Sequence, residues 1–156
     1  MKIVTASKVT APELIDHIGW DLWRVTEGWK RRFTADMVAL GYGWFGEARG
    51  ALVQHIGRHG IAQTALAAKA GMSKQAVQQH LDDLVRDGAV ERVPDPDDAR
   101  RKIIRFTPLG LEALTVSNDV KRNIEDEYRH LIGDEAMQRL IEALRAINAH
   151  QDDERK

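Results

Sequence analysis

The chain has 156 residues, 43% of them hydrophobic and 30% charged, with a formal net charge of −1 and no cysteine. That is an ordinary globular composition with enough mass for one real core. It excludes disulfides, thiolate metal sites and thiol-based redox switches, and it excludes a polycation that holds nucleic acid by charge alone.

No apolar run approaches the length of a membrane span, and residues 1–8 lack the apolar core of a secretory signal, so no membrane partner and a cytoplasmic location are expected. Pro12 suits the first turn of a helix. Beyond it Leu14, Ile18, Leu22, Val25, Trp29 and Phe33 recur every three or four residues, which predicts a long amphipathic helix. Gly41-Tyr42-Gly43 breaks the pattern. A second helix is expected over 45–58, with Leu52, Val53 and Ile56 inward and His59-Gly60 as its stop. A short Ala-rich helix then ends at Gly71, a residue that takes the left-handed turn conformation cheaply.

Ser73 stands where the N-cap of a further helix belongs, and Gly88 closes that helix. Val77, Leu81 and Leu84 form its apolar face. Lys74, Gln75, Gln78, Gln79, Asp82 and Arg86 fall mostly on the other. Glutamine offers a donor and an acceptor together, which suits the edges of bases in a DNA major groove. Two β-capable runs, 89–93 and 102–107, flank a loop punctuated by two prolines and three aspartates. From Arg100 to Arg105 there are four basic residues and no acidic one. An extended arm with that charge can follow a phosphate backbone or enter a minor groove. Asp98 and Arg100 are two apart, so in extended chain they point the same way and the carboxylate can steady the guanidinium.

Thr107 reads as another N-cap with Pro108 at the first helical position. Leu109, Ala113, Val116, Val120, Ile124, Tyr128 and Leu131 continue an apolar stripe for about six turns. Gly133 stops it, and Asp134 is expected to cap a last helix carrying Met137, Leu140, Ile141, Leu144 and Ile147. Residues 151–156 are expected to be a frayed polar tail.

Candidate chemistry is thin. His55 and His59 have the i, i+4 spacing of metal ligands on a helix, but no third ligand is identifiable. His80 is expected to be a semi-buried packing residue. No phosphate loop, dinucleotide fingerprint or nucleophile motif is present. No catalytic residue, metal or cofactor is expected, and the chain does not read as an enzyme. All four tryptophans, Trp20, Trp23, Trp29 and Trp44, precede residue 45. Two uses are open to them: filling a core and an interface, or forming part of an aromatic ligand site.

The span 44–110 resembles the MarR family of winged-helix transcriptional regulators. The matching words are Gly71-Met72-Ser73-Lys74-Gln75-Ala76-Val77, Leu84-Val85-Arg86-Asp87-Gly88-Ala89-Val90-Glu91-Arg92, Asp95-Pro96-Asp97-Asp98-Ala99-Arg100 and Thr107-Pro108-Leu109-Gly110, in the family's order and at its spacing. The resemblance implies a mainly α fold with a small β-wing. It divides the chain into an N-terminal helical dimerisation segment (1–43), a winged helix-turn-helix lobe (44–107), C-terminal dimerisation helices (108–150) and the tail. It implies a recognition helix over 74–87, a wing over 94–101 and an Asp-x-Arg pair at Asp98 and Arg100. The expected contacts to double-stranded DNA are Ser73, Lys74, Gln75, Gln78, Gln79, Arg86, Asp98, Arg100, Arg101 and Lys102. A homodimeric repressor is expected, with a small aromatic effector near Trp20, Trp23, Tyr42 and Trp44. The lobe 62–107 holds eight Lys/Arg against seven Asp/Glu. That balance leaves open a winged-helix protein-interaction module without DNA binding.

Overall fold

A computed structural model describes residues 13–98 and 100–154. The described residues form six α-helices: α1 Ile18–Ala39, α2 Glu47–Val53, α3 Gln63–Ala70, α4 Lys74–Arg86, α5 Pro108–Ile132 and α6 Asp134–Asp153. Among them three short strands, β1 Ile61–Ala62, β2 Val90–Pro94 and β3 Lys102–Phe106, form one antiparallel sheet in the order β1-β3-β2. The lobe built from α2 to β3 is a winged helix-turn-helix, and α1, α5 and α6 form the helical part beside it. Among the described residues no helix is long and apolar enough to cross a membrane.

The local signals act where they were read. Gly71 closes α3 in the left-handed region, at φ 62° and ψ 23°, where a side chain costs energy. The Ser73 hydroxyl accepts from the Ala76 N–H at 3.1 Å and so starts α4. The Thr107 hydroxyl accepts from the Gly110 N–H at 3.1 Å, with Pro108 in the first turn of α5. Each such cap satisfies one helix-end donor and is worth about 1 kcal/mol.

The core lies where the lobe and the long helices meet. Leu52, Val53 and Ile56 point in from α2 and the turn after it, and Leu66 from α3. Val77, Leu81 and Leu84 bury the expected face of α4. Ile104 and Phe106 from β3 pack with them, and Ala113, Val120 and Ile124 continue the cluster along α5. Phe33 and Met37 of α1 close it. Arg32 of α1 ties the two long helices on the outside, with Nη1 and Nη2 donating to the two Glu127 oxygens at 3.0 and 2.7 Å.

Several expectations need correction. The first helix begins at Ile18, with His17 extended before it, and Pro12 lies outside the described residues. Leu14, the first residue of the expected stripe, lies before the helix and is 93% exposed. The helix expected over 45–58 is shorter: Gly43–Phe45 is a 3-10 turn and α2 ends at Val53. The sheet has a third strand, β1, in which Ile61 pairs with Ile104 and Ala62 with Ile103. Two residues are too short a run to show a period. Asp134 is the first residue of α6 and makes no cap; Gly133, at φ 85°, precedes it. The last helix runs on to Asp153, into the segment expected to fray.

Candidate nucleic-acid interface

The helix-turn-helix and the wing meet at one groove of about 570 Å³. Ala62, Gln63, Thr64 and Ala67 form one wall, Lys74, Val77 and Gln78 of α4 the floor, and Arg100, Arg101 and Lys102 the other wall. Three consecutive cations of the wing therefore face the N-terminal half of α4. Lys74, Gln75, Gln78 and Gln79 are all exposed along that half. Ser73 is exposed at its start and is committed to capping. Arg86 is not part of the group. It sits in the last turn of α4, about 18 Å along the axis from Lys74, and its Nη2 donates to Asp83 Oδ1 at 2.7 Å.

The wing is held in shape by two aspartates. Asp98 Oδ1 accepts from the Arg100 backbone N–H at 3.0 Å and from Arg100 Nε at 3.2 Å. The guanidinium is steadied, but in a turn and not in the extended chain expected, with the Arg101 N–H donating to the Asp98 carbonyl at 2.8 Å; the Arg100 side chain remains 92% exposed. Asp95 is only 8% exposed. Its Oδ1 accepts from the Asp97 N–H at 2.9 Å, its Oδ2 lies 3.5 Å from Arg101 Nε, and its own N–H donates to the Arg101 carbonyl at 3.1 Å. Asp95 thus closes the loop that carries Arg100 and Arg101. Sequence reasoning passed over it, although a carboxylate between two prolines is a recurrent turn signal. Across the hairpin Glu91 and Arg105 are register partners, and Arg105 Nε donates to Glu91 Oε1 at 2.7 Å.

Behind the glutamines lies a chain of polar contacts. Gln63 Nε2 donates to Gln78 Oε1 at 2.6 Å. Gln78 Nε2 donates to Asp82 Oδ1 at 3.0 Å, and Arg92 Nη2 of β2 donates to the same oxygen at 2.7 Å. The hydrogen bond from Arg92, and after it the one from Gln78, hold the Asp82 carboxyl below its ordinary pKa. Arg92 Nε is buried and has no hydrogen-bond partner among the described residues, an arrangement that costs about 1–3 kcal/mol or more. Gln63 and Arg92 were not expected here. Ten residues separate Asp82 from Arg92 across a helix-to-strand joint, and no helical or strand period links them.

The aromatic residues fall into two groups. Trp20 and Trp23 stack on each other at 4.9 Å between ring centroids and are 53% and 54% exposed. Trp29, Phe33, Phe45, Trp44 and Tyr42 form a continuous series of ring contacts in and beside the core. No ring contact among the described residues joins the two groups, so the expected set of Trp20, Trp23, Tyr42 and Trp44 is not assembled within one chain. Partial burial, then the charge and hydrogen bond of Glu112, push the Tyr42 hydroxyl above its ordinary pKa, so it stays a neutral phenol.

His55 and His59 lie in successive turns after α2, where helical spacing does not apply. Among the described residues no group of three or more His, Asp or Glu is placed to hold a metal ion. His80 is half-buried, as expected.

The MarR family model matches residues 49–101, which span α3, α4, β2 and the wing. No curated protein matches the chain. Wild-type apo MarR from E. coli is similar in structure, with 21% identity, a TM-score of 0.69 and coverage of 86% of this chain and 98% of that one. The transcriptional regulator BldR from Sulfolobus solfataricus is 22% identical, with a TM-score of 0.64 and coverage of 85% and 93%. A mutant of S. aureus MepR bound to an oligodeoxyribonucleotide is 16% identical, with a TM-score of 0.61 and coverage of 88% and 99%. At these identities the likeness is one of fold. The family model thus covers the winged-helix lobe of this chain and not its long helices, and the chain as a whole shares the fold of these solved structures.

Proposed function

We propose that the protein is a sequence-specific DNA-binding regulator that acts as a homodimer on a pseudo-palindromic operator, most simply as a repressor. The observation that carries this reading is the shared groove, where Lys74 and Gln78 of α4 face Arg100, Arg101 and Lys102 of the wing. A helix inserted in a major groove presents Gln75, Gln78 and Gln79 to base edges. Its neighbouring wing then meets the flanking backbone or the adjacent minor groove. Ser73 and Asp98 act through position, the first by starting the helix and the second by bracing Arg100. The oligodeoxyribonucleotide complex of MepR supports the same use of the fold.

The near-neutral charge of the lobe favours the other reading, a winged-helix module that binds protein. Against it, Asp82, Asp95 and Asp98 are each paired with an arginine of the lobe, whereas Lys74 and Lys102 have no ion pair among the described residues. The lining of the groove itself holds Lys74, Arg100, Arg101 and Lys102 and no carboxylate, so it is more basic than the lobe as a whole. Selection of binding sites from random duplexes, followed by a gel shift at two salt concentrations, separates the two. The DNA reading expects an enriched inverted repeat with half-sites about 34–36 Å apart. Failure to enrich any sequence would favour the protein-binding module.

Dimerisation belongs to the same proposal. Leu14 and Ile15 before α1, Ile18 at its start and Leu131 at the end of α5 are large, apolar and exposed, Leu131 to 80%. A second copy is the simplest cover for such faces. A ligand response would need a small molecule that binds the DNA-competent and incompetent states unequally. Tyr42 and the stacked Trp20–Trp23 pair are the aromatic surfaces available to it. An aromatic acid that acts there is expected to change tryptophan emission and lower DNA affinity together. A panel of phenolic and aromatic acids that changes neither removes the ligand from the proposal.

A further inference from the structure

The glutamine on the floor of the groove is not free to rotate. Gln78 has an amide whose oxygen and nitrogen ends are interchangeable in shape and opposite in hydrogen-bonding character. Ordinarily such an amide can flip. Here its Nε2 faces Asp82 Oδ1 at 3.0 Å and its Oε1 faces Gln63 Nε2 at 2.6 Å. A carboxylate is acceptor-only, so the end of Gln78 beside Asp82 must be the donor. That fixes Oε1 on the far side, and it forces Gln63 to present its own N–H. Arg92 is donor-only and holds the carboxylate from β2 at 2.7 Å. The whole chain of contacts has one direction, set at its charged end. Gln78 retains one N–H and one lone pair for a ligand, each at a fixed place on the groove floor.

We propose that Asp82, held by Arg92, is a positioning residue for base reading: it sets which end of the Gln78 amide donates and which accepts, and so which base pair α4 prefers at that step. This rests on the DNA-binding reading above. Asp82 need not touch DNA, and its charge opposes DNA binding, so its contribution is to selectivity and not to overall affinity. Asparagine would not remove the direction, because Arg92, a donor only, turns the amide oxygen to the place that Oδ1 holds now. Alanine removes the acceptor altogether. Both orientations of the Gln78 amide are then open, and adenine and guanine edges, which differ in donor and acceptor order, are no longer told apart by it.

The test uses the full-length protein, the operator selected by the wild type, that operator with each base pair replaced singly, and a random duplex, all at one salt concentration. Asp82→Ala is expected to cut the preference at one base pair per half-site by about tenfold. Affinity for the random duplex should hold or rise, because a negative charge has gone. In a Gln78→Ala background the same change should leave the preference within about twofold, since there is no amide left to orient. Gln63→Ala, at the uncharged end of the chain of contacts, should leave the preference in place. Asp82→Asn combined with Arg92→Gln, where neither partner is a donor only, carries the test if Asp82→Ala does not fold. Unchanged preference in Asp82→Ala overturns the proposal. So does a uniform loss on all DNA, or an equal effect with and without Gln78. A wild type that selects no sequence overturns the DNA reading itself, whereas a selective wild type with an equally selective Asp82→Ala overturns only the role of Asp82.

Discussion

Gly110 shows how a single atom fixes the joint between the lobe and the long helix. A Cβ at this position would lie 2.0 Å from the Ala89 carbonyl oxygen and 3.0 Å from Phe106 Cδ1. Backbone cannot yield as a flexible side chain can, so Gly110→Ala must push α5 off the sheet. Overpacking of this kind costs about 1–3 kcal/mol, and a drop in melting temperature of roughly 2–4 °C per kcal/mol is expected. A variant that melts with the wild type would mean that α5 does not rest on Ala89. Asp82 gives a pH-dependent prediction at the same scale. Its folded pKa is lowered below 3.8 by Arg92 and Gln78, with Arg86 adding through charge. Its ionised form therefore stabilises the fold fully above the unfolded pKa, and that contribution is lost as pH falls through the lowered folded value. The stability difference between wild type and Asp82→Asn should be flat from pH 7 to pH 5 and shrink in stronger acid, which urea unfolding at a series of pH values can follow. A difference that grows on acidification would contradict the pairing.

At the scale of elements the wing is the instructive case. The hairpin β2–β3 is regular, with five register pairs from Val90↔Phe106 to Pro94↔Lys102. The loop beyond it is not part of the ladder and is organised by Asp95 and Asp98. Arg100 is expected to weaken operator binding when replaced by alanine, most of all where A·T-rich flanks narrow the minor groove. Asp98→Ala should cause a smaller loss, because it loosens the guanidinium without removing it. Competition gel shifts with A·T-rich and G·C-rich flanks compare the two. Equal binding by wild type and Arg100→Ala on both flanks would remove the wing from the interface.

The whole molecule has more apolar surface than one chain can bury. The first turns of α1 and the ends of α5 and α6 leave Ile18, Trp20, Trp23, Leu131 and Ile147 exposed. If a second copy covers them, sedimentation at low micromolar concentration should give a dimer, and the melting temperature should rise with protein concentration. A monomer whose melt does not depend on concentration would refute this.

Much of the fold was legible in local chemistry. Gly71, Ser73 and Thr107 act at single positions through backbone conformation and capping, and each did what its residue type dictates. The apolar triplet Val77, Leu81, Leu84 is one helical face, and burial followed from its period. The wing was readable because its prolines, aspartates and basic run fall within a dozen residues. Less legible were features with no period or with partners far apart in the chain. The two-residue strand β1 is too short to signal itself, and it forms because β3 offers a free edge to Ile61 and Ala62. The orientation of Gln78 depends on Asp82 and on Arg92, which reaches that carboxylate from a strand. The sequence by itself determined the order of the long helices and the hairpin, the caps at Ser73 and Thr107 and the buried face of α4, because those follow from interactions between residues a few positions apart. Only the tertiary structure decided which polar groups meet across elements, because a hydrogen bond needs two groups within about 3 Å and packing alone brings distant segments that close.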